Sequence, residues 1–286
     1  MTYDDLTGLR ISVADGIATA TLDHPPLNLM DGVLVPSLRG FVNRVRHDTG
    51  VRVVVFDSAD PEFFSAHGDM AYLTDPAALP AATAAAIAAA PDVPVPDGMN
   101  ILQAVADEVR GLPQVTIGKI AGFARGAGNE FLMALDLRFA AIGRSGQAQP
   151  EAVMDILPGG GGTVLMTRLL GRERALEVLL GTDLVDAELA ERYGLVNRAL
   201  PADEIDAFVD RLARRIARLR PEVVAAIKAT VETIAPKIPH EAYAVENAAL
   251  YSLFTEDMVA SAHRQLAAGV QTREGERDLE GLLDGL

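Results

Sequence analysis

The chain has 286 residues, 49% hydrophobic and 23% charged, the composition of an ordinary globular protein with apolar mass for one large domain or two unequal ones. A formal net charge of -15 argues against a nucleic-acid partner, which would need a basic face, so an anionic ligand must be held by local groups. Cysteine is absent, which removes a disulfide framework, a thiolate nucleophile and any Cys-based metal site. The opening "MTYDDLTGLR" has no apolar core of a secretory signal, and no apolar run is long enough to span a bilayer. These features lead to the expectation of a soluble, cytoplasmic protein without a membrane partner.

Taken in chain order, "LRISVADGIATATLDHP" alternates in strand fashion on either side of an Asp15-Gly16 turn and reads as a hairpin. An amphipathic helix follows over roughly 31–47, with Leu34, Leu38, Phe41, Val42 and Val45 at helical spacing. "VRVVVFDS" (51–58) is a continuous β-branched run, as expected of a strand buried on both faces. Residues 74–100 are rich in Ala and Pro and read as a surface excursion or lid, with strand-like segments resuming directly afterwards. The strand–helix–strand order then repeats through "VTIGKIAG" (115–122), a helix after Gly126 and "LDLRFAAI" (135–142). From about residue 162 the chain turns mainly helical, with stripes such as Ile205, Val209, Leu212 and Ile216, and Pro221 opening a further helix. The tail, 240–286, reads as a long helix with a charged, frayed end. The fold class is α/β, divided into a core over 1–201 and a helical C-terminal region over 202–286.

Several chemistries find no support. No serine sits in a G-x-S-x-G elbow, and the five histidines show no H-E-x-x-H or other ligand spacing, so no metal site is expected. "PGGGGT" (158–163) lacks the Lys-Ser/Thr of a phosphate-binding loop, and "GAGNEF" lacks the last glycine of the dinucleotide fingerprint. Two carboxylates remain. Glu130 and Glu151 both lie in apolar surroundings, "EFLMAL" and "EAVMDILP", where burial would raise their pKa towards neutrality; a structural role is the alternative for either one. Two Gly-containing loops, "FFSAHGDM" and "FARGAGNEF", each follow a strand and lead towards a helix. Backbone N–H groups from the two could converge on one carbonyl oxygen.

Five segments in order, "LDHPPLN" (22–28), "VRVVVFDS…FFSAHGDM" (51–70), "GFARGAGNEFLMALDLRFA" (122–140), "GQAQPEAVMDILPGGGGT" (146–163) and "RALEVLLGTDLVDAELAERYGLVNRALP" (174–201), resemble the enoyl-CoA hydratase/isomerase family, the crotonase superfamily. The resemblance implies a crotonase-like spiral of ββα turns with a helical C-terminal region, assembled as homotrimers or dimers of trimers. It implies an acyl-CoA thioester substrate and no cofactor apart from the coenzyme A that this substrate carries. By position, the N–H groups of Gly68 and Ala127 would hold the thioester oxygen. Ala66, Gly68, Asp69, Met70 and Ala127 would contact the CoA ester, and Glu130 and Glu151 would be the acid/base pair of an enoyl-CoA hydratase of fatty acid metabolism. An isomerase, an acyl-CoA lyase or decarboxylase, or a non-catalytic CoA-ester binder would keep the same scaffold. Three residues depart from the family pattern. His67 stands where glycine is usual and reads as a specificity or catalytic group or as a packed loop residue. Asp155 reads as a third pocket carboxylate or a solvated one, and Arg125 as a ligand for phosphate or carboxylate or as half of an ion pair.

Overall fold

A computed structural model describes residues 2–235 and 238–286. Among these described residues, ten strands form two sheets: β1 (Leu9–Ala14), β2 (Ile17–Leu22), β3 (Val53–Ser58), β4 (Phe63–Ser65), β5 (Val115–Ile120), β6 (Phe123–Arg125), β7 (Leu137–Ile142), β8 (Gly146–Ala148), β9 (Val185–Asp186) and β10 (Arg198–Pro201). The larger sheet runs β1-β2-β3-β5-β7-β10, parallel apart from the β1/β2 hairpin, and the smaller runs β4-β6-β8-β9, parallel apart from β9. Each pass of the chain lays one strand in the large sheet and the next in the small sheet before a helix returns it. β3–β4, β5–β6 and β7–β8 are three such turns of a spiral.

The apolar run of β3 shows why this sequence makes a doubly covered strand. Val54 and Phe56 face the core between the sheets, where Phe56 meets Phe41 and Phe131 edge-on. Val53 and Val55 face the opposite way, under the amphipathic helix Ile205–Ala217. Alternation sends successive side chains to opposite faces, so a strand covered on both must be apolar throughout.

Within residues 74–100 the Ala-rich run is a surface helix, and its Leu79 lines the cavity described below. Helix Ala78–Ala89 packs on helix Leu34–Val45, and the fully buried Arg39 ties it down. The guanidinium donates to the carbonyls of Ala86 (2.9 Å) and Val93 (2.7 Å) and pairs with Glu108 at 2.8 Å. A helix, not a strand, follows: Asn100 and Gln103 form a capping box that starts Ile101–Arg110. The tail also differs from one long helix with a frayed end. It divides into helices His240–Ser252 and Glu256–Ala268, and the last residues then pack Val270, Leu279 and Leu283 against Met70 and Met154. No helix among the described residues is long and apolar enough to cross a membrane.

Candidate active site

The small sheet gathers the site. β4, β6 and β8 run side by side and parallel, with Phe63 opposite Phe123 and Arg125 opposite Ala148. Their C-terminal ends therefore lie together, and the residues just beyond them are Gly68, then Ala127 and Glu130, then Glu151. All four line one cavity of about 770 Å3, counted out to its open mouth, with Leu73, Leu79, Met154, Leu250 and Phe254 among its apolar walls. Apolar walls around a few convergent polar groups are the make-up of a small-molecule site.

Both glycine loops are shaped by close approach. His67 C=O accepts from Met30 N–H at 2.9 Å, which fixes the plane of the peptide bearing the Gly68 N–H. A side chain at Gly68 would touch the Ala127 methyl at 3.4 Å, so the two loops abut. Gly126 has φ +46°, and a Cβ there would lie 2.7 Å from Glu151 Oε1; only glycine fits both constraints. Ala127 sits in the first turn of helix Gly126–Met133, where N–H groups have no intrahelical acceptor. Neither the Gly68 nor the Ala127 N–H has a protein acceptor among the described residues.

Glu130 is 2% exposed and Glu151 8%. Glu130 Oε1 accepts from the N–H groups of Gly160 (2.8 Å) and Gly162 (2.7 Å), while Oε2 has no protein donor among the described residues. Burial pushes Glu130 well above the usual carboxylate range, with the charges of Glu151 and Glu246 adding to the shift and the two amides opposing it. Burial likewise pushes Glu151 up to about 7, opposed by its backbone hydrogen bond and by His67.

Other residues singled out in the sequence are placed as follows. Asp69 and Met70 line the cavity beside Gly68, whereas Ala66 packs against Leu27 and Phe63 and is not in the cavity wall. Asp155 is exposed at the end of the 3-10 turn Pro150–Met154 and does not face the cavity. Arg125 is fully buried and bound to Glu280, so it meets no ligand. His67 lines the cavity but both ring nitrogens are engaged, Nδ1 with Gly68 C=O at 2.6 Å and Nε2 with Glu276 at 2.8 Å.

Glu246 was not among the sequence candidates. It reaches from helix His240–Ser252 to accept from the N–H groups of Gly161 (2.8 Å) and Thr163 (2.9 Å), and from the Thr163 hydroxyl and Gln103. The amides of the glycine loop 158–162 are thus divided between Glu130 and Glu246. A signal for it exists: Tyr243, Glu246, Asn247 and Leu250 form one buried stripe at helical spacing, with a charge where an apolar residue belongs. Tyr72 adds a buried hydroxyl to the cavity wall with no protein partner among the described residues.

Two sheets wound as one spiral, with carboxylates and open amides gathered at the ends of the smaller one, define an enzyme of the crotonase superfamily. A family model described as enoyl-CoA hydratase/isomerase matches residues 12–271. The chain belongs to that family, and its function is enoyl-CoA hydratase-like. It is similar over 98% of both chains to the solved structure of a candidate enoyl-CoA hydratase from Streptomyces avermitilis, at 44% identity and a TM-score of 0.89. Carnitinyl-CoA dehydratase of Escherichia coli is 29% identical over 82% of this chain and 84% of its own. Crotonyl-CoA hydratase of Syntrophomonas wolfei is 26% identical over 76% of each.

Proposed function

We propose that the protein catalyses reversible addition of water to a 2-enoyl-CoA thioester, with Glu130 and Glu151 as its acid/base pair and the N–H groups of Gly68 and Ala127 as its oxyanion hole. The observation that carries this reading is the pairing of two buried glutamates with two open amides in one apolar cavity. Hydrogen bonds from Gly68 and Ala127 to the thioester oxygen stabilise the negative charge that arrives there as the β-carbon is attacked. One lost donor of this kind typically costs about 2.7–4 kcal/mol of barrier.

Glu130, held by two amides on Oε1, orients a water with Oε2. Glu151 in its ionised form takes one proton of that water as its oxygen bonds to the β-carbon, and then gives the same proton to the α-carbon, which leaves Glu151 ionised again. The elements of water are thereby divided across the former double bond, and each carboxylate returns to its starting state. A pKa near neutrality makes both forms of Glu151 accessible at ordinary pH. The cavity-lining residues Gly68, Asp69 and Met70 would receive the CoA portion, and no cofactor beyond that coenzyme A is required.

The partner proposed beyond substrate is further copies of the same chain, as a homotrimer or dimer of trimers in the cytoplasm. Val223, Ile227, Val231 and Ile234 expose an apolar stripe along helix Pro221–Ile234, which supports self-association. The reaction is tested by following loss of enoyl absorbance with crotonyl-CoA and longer 2-enoyl-CoA esters in wild type and Glu151→Gln. Turnover that falls roughly 10²–10⁴-fold in the variant supports the assignment. Binding of CoA esters without turnover at any chain length would sink it.

A further inference from the structure

The hydration scheme makes no use of the stretch 271–280, yet that stretch grips both donor loops. Gln271 accepts from Met70 N–H (2.8 Å) and donates to Asp69 Oδ1 (3.0 Å). Glu276, fully buried, accepts on Oε1 from His67 Nε2 (2.8 Å) and from Gln271 N–H (2.8 Å). On the other loop, Arg125 donates through Nε and Nη2 to the two oxygens of Glu280 at 2.7 and 2.8 Å, and through Nη1 to the Glu276 carbonyl at 3.0 Å. His67 directly precedes Gly68, and Arg125 stands two residues before Ala127. Each anchor therefore adjoins one of the two open amides.

The protonation of His67 follows from its partners. A carbonyl oxygen faces Nδ1 and a carboxylate faces Nε2, so both nitrogens act as donors and the ring is an imidazolium. Burial alone would lower its pKa, but the charge and hydrogen bond of Glu276 hold it above the usual histidine value, and the same pairing holds Glu276 below the usual glutamate value. With no nitrogen free, His67 cannot exchange protons with a substrate. Nor is stability a sufficient reason for the pair, since buried ion pairs commonly give no net stabilisation over apolar residues of the same volume. What the pair does provide is a fixed conformation of the loop that carries Gly68.

We propose that Glu276 and His67 are positioning residues, and that the segment 271–280 is a strap which, with Arg125–Glu280, sets the distance and direction of both oxyanion donors. This rests on the assignment of the Gly68 and Ala127 amides as those donors. The strap acts on the polarised carbonyl, not on substrate capture, which separates it from a merely structural role.

The test uses the full chain with butyryl-CoA, a saturated thioester that cannot be hydrated, labelled with 13C at the carbonyl. The carbonyl stretch of the bound ester in wild type is expected to move to lower frequency than in water. In Glu276→Ala this displacement should shrink, kcat for crotonyl-CoA should fall on the order of 10²-fold and KM should stay close to wild type. Glu276→Gln, whose amide oxygen can still accept from His67 and Gln271, should recover part of both. A full displacement in Glu276→Ala, or, should that variant not fold, in Glu280→Ala, which frees Arg125 on the other donor loop, overturns the proposal, as does a loss confined to KM. A wild type that hydrates nothing, yet shows a displacement that Glu276→Ala abolishes, removes the hydration reading and keeps the strap. Hydration with an unchanged displacement in both variants does the reverse.

Discussion

Glu151 concentrates the chemistry and its cost in one side chain. It titrates near the ordinary glutamate value of 4.5 in the unfolded chain, and burial raises it to about 7 in the fold. Below 4.5 it is protonated in both states and imposes no penalty; above 7 the fold holds a buried charge that the unfolded chain would hydrate. Its contribution to stability is therefore complete at acid pH and is lost as pH rises through 7. Glu151→Gln should accordingly raise Tm relative to wild type at about pH 8, with the gain shrinking towards zero at about pH 4.5; thermal scans across that range check it. Activity runs the other way: kcat/KM for hydration should rise through pH ~7 as the base ionises. At this scale much was legible. Glu130, Glu151, Gly68 and Ala127 fall together in one cavity because each sits just after a strand, in a motif with a local signature. Glu276 and Glu280 carry no such signature, since their partners His67 and Arg125 are more than a hundred residues away in the chain.

The elements explain why glycines appear where they do. Gly126→Ala would place a methyl 2.7 Å from Glu151 Oε1 at a positive φ, and should abolish turnover while lowering Tm. A circular-dichroism melt alongside the crotonyl-CoA assay would check both effects. The Ala/Pro-rich stretch 74–100 is fastened at the element scale by Arg39, whose side chain is fully buried between Glu108, Ala86 and Val93. Removing one partner of such a pair strands the other, so Arg39→Ala should cost about 3–5 kcal/mol in urea unfolding. That fastening could not be read locally. Composition showed an Ala/Pro-rich excursion or lid, whereas an arginine inside the apolar stripe of the preceding helix is what ties it down. Strand β3 was legible from its β-branched run, and β5 and β7 from the repeated strand–helix–strand order. The three-residue strands β4, β6 and β8 were not, because too few positions exist to show alternation, although they aim every residue of the proposed site.

The whole molecule shows the site assembled from ends of the chain far apart in sequence: loops after β4 and β6, the glycine loop fixed by Glu130 and Glu246, and the strap 271–280 beneath both donors. Its outer face bears the apolar stripe of helix Pro221–Ile234, with Ile227 56% and Ile234 78% exposed in the single chain. Ile227→Asp combined with Val231→Asp should shift the mass measured by light scattering from an oligomer to one chain. An unchanged mass would show that this helix does not join subunits. The account stands most directly on hydration itself. Incubated with crotonyl-CoA, the wild-type protein should remove the enoyl absorbance and yield the 3-hydroxy thioester, and Glu151→Gln should retain CoA-ester binding while losing roughly 10²–10⁴-fold of that rate. Equal rates in the two proteins would contradict the role given to Glu151, and with it the central claim.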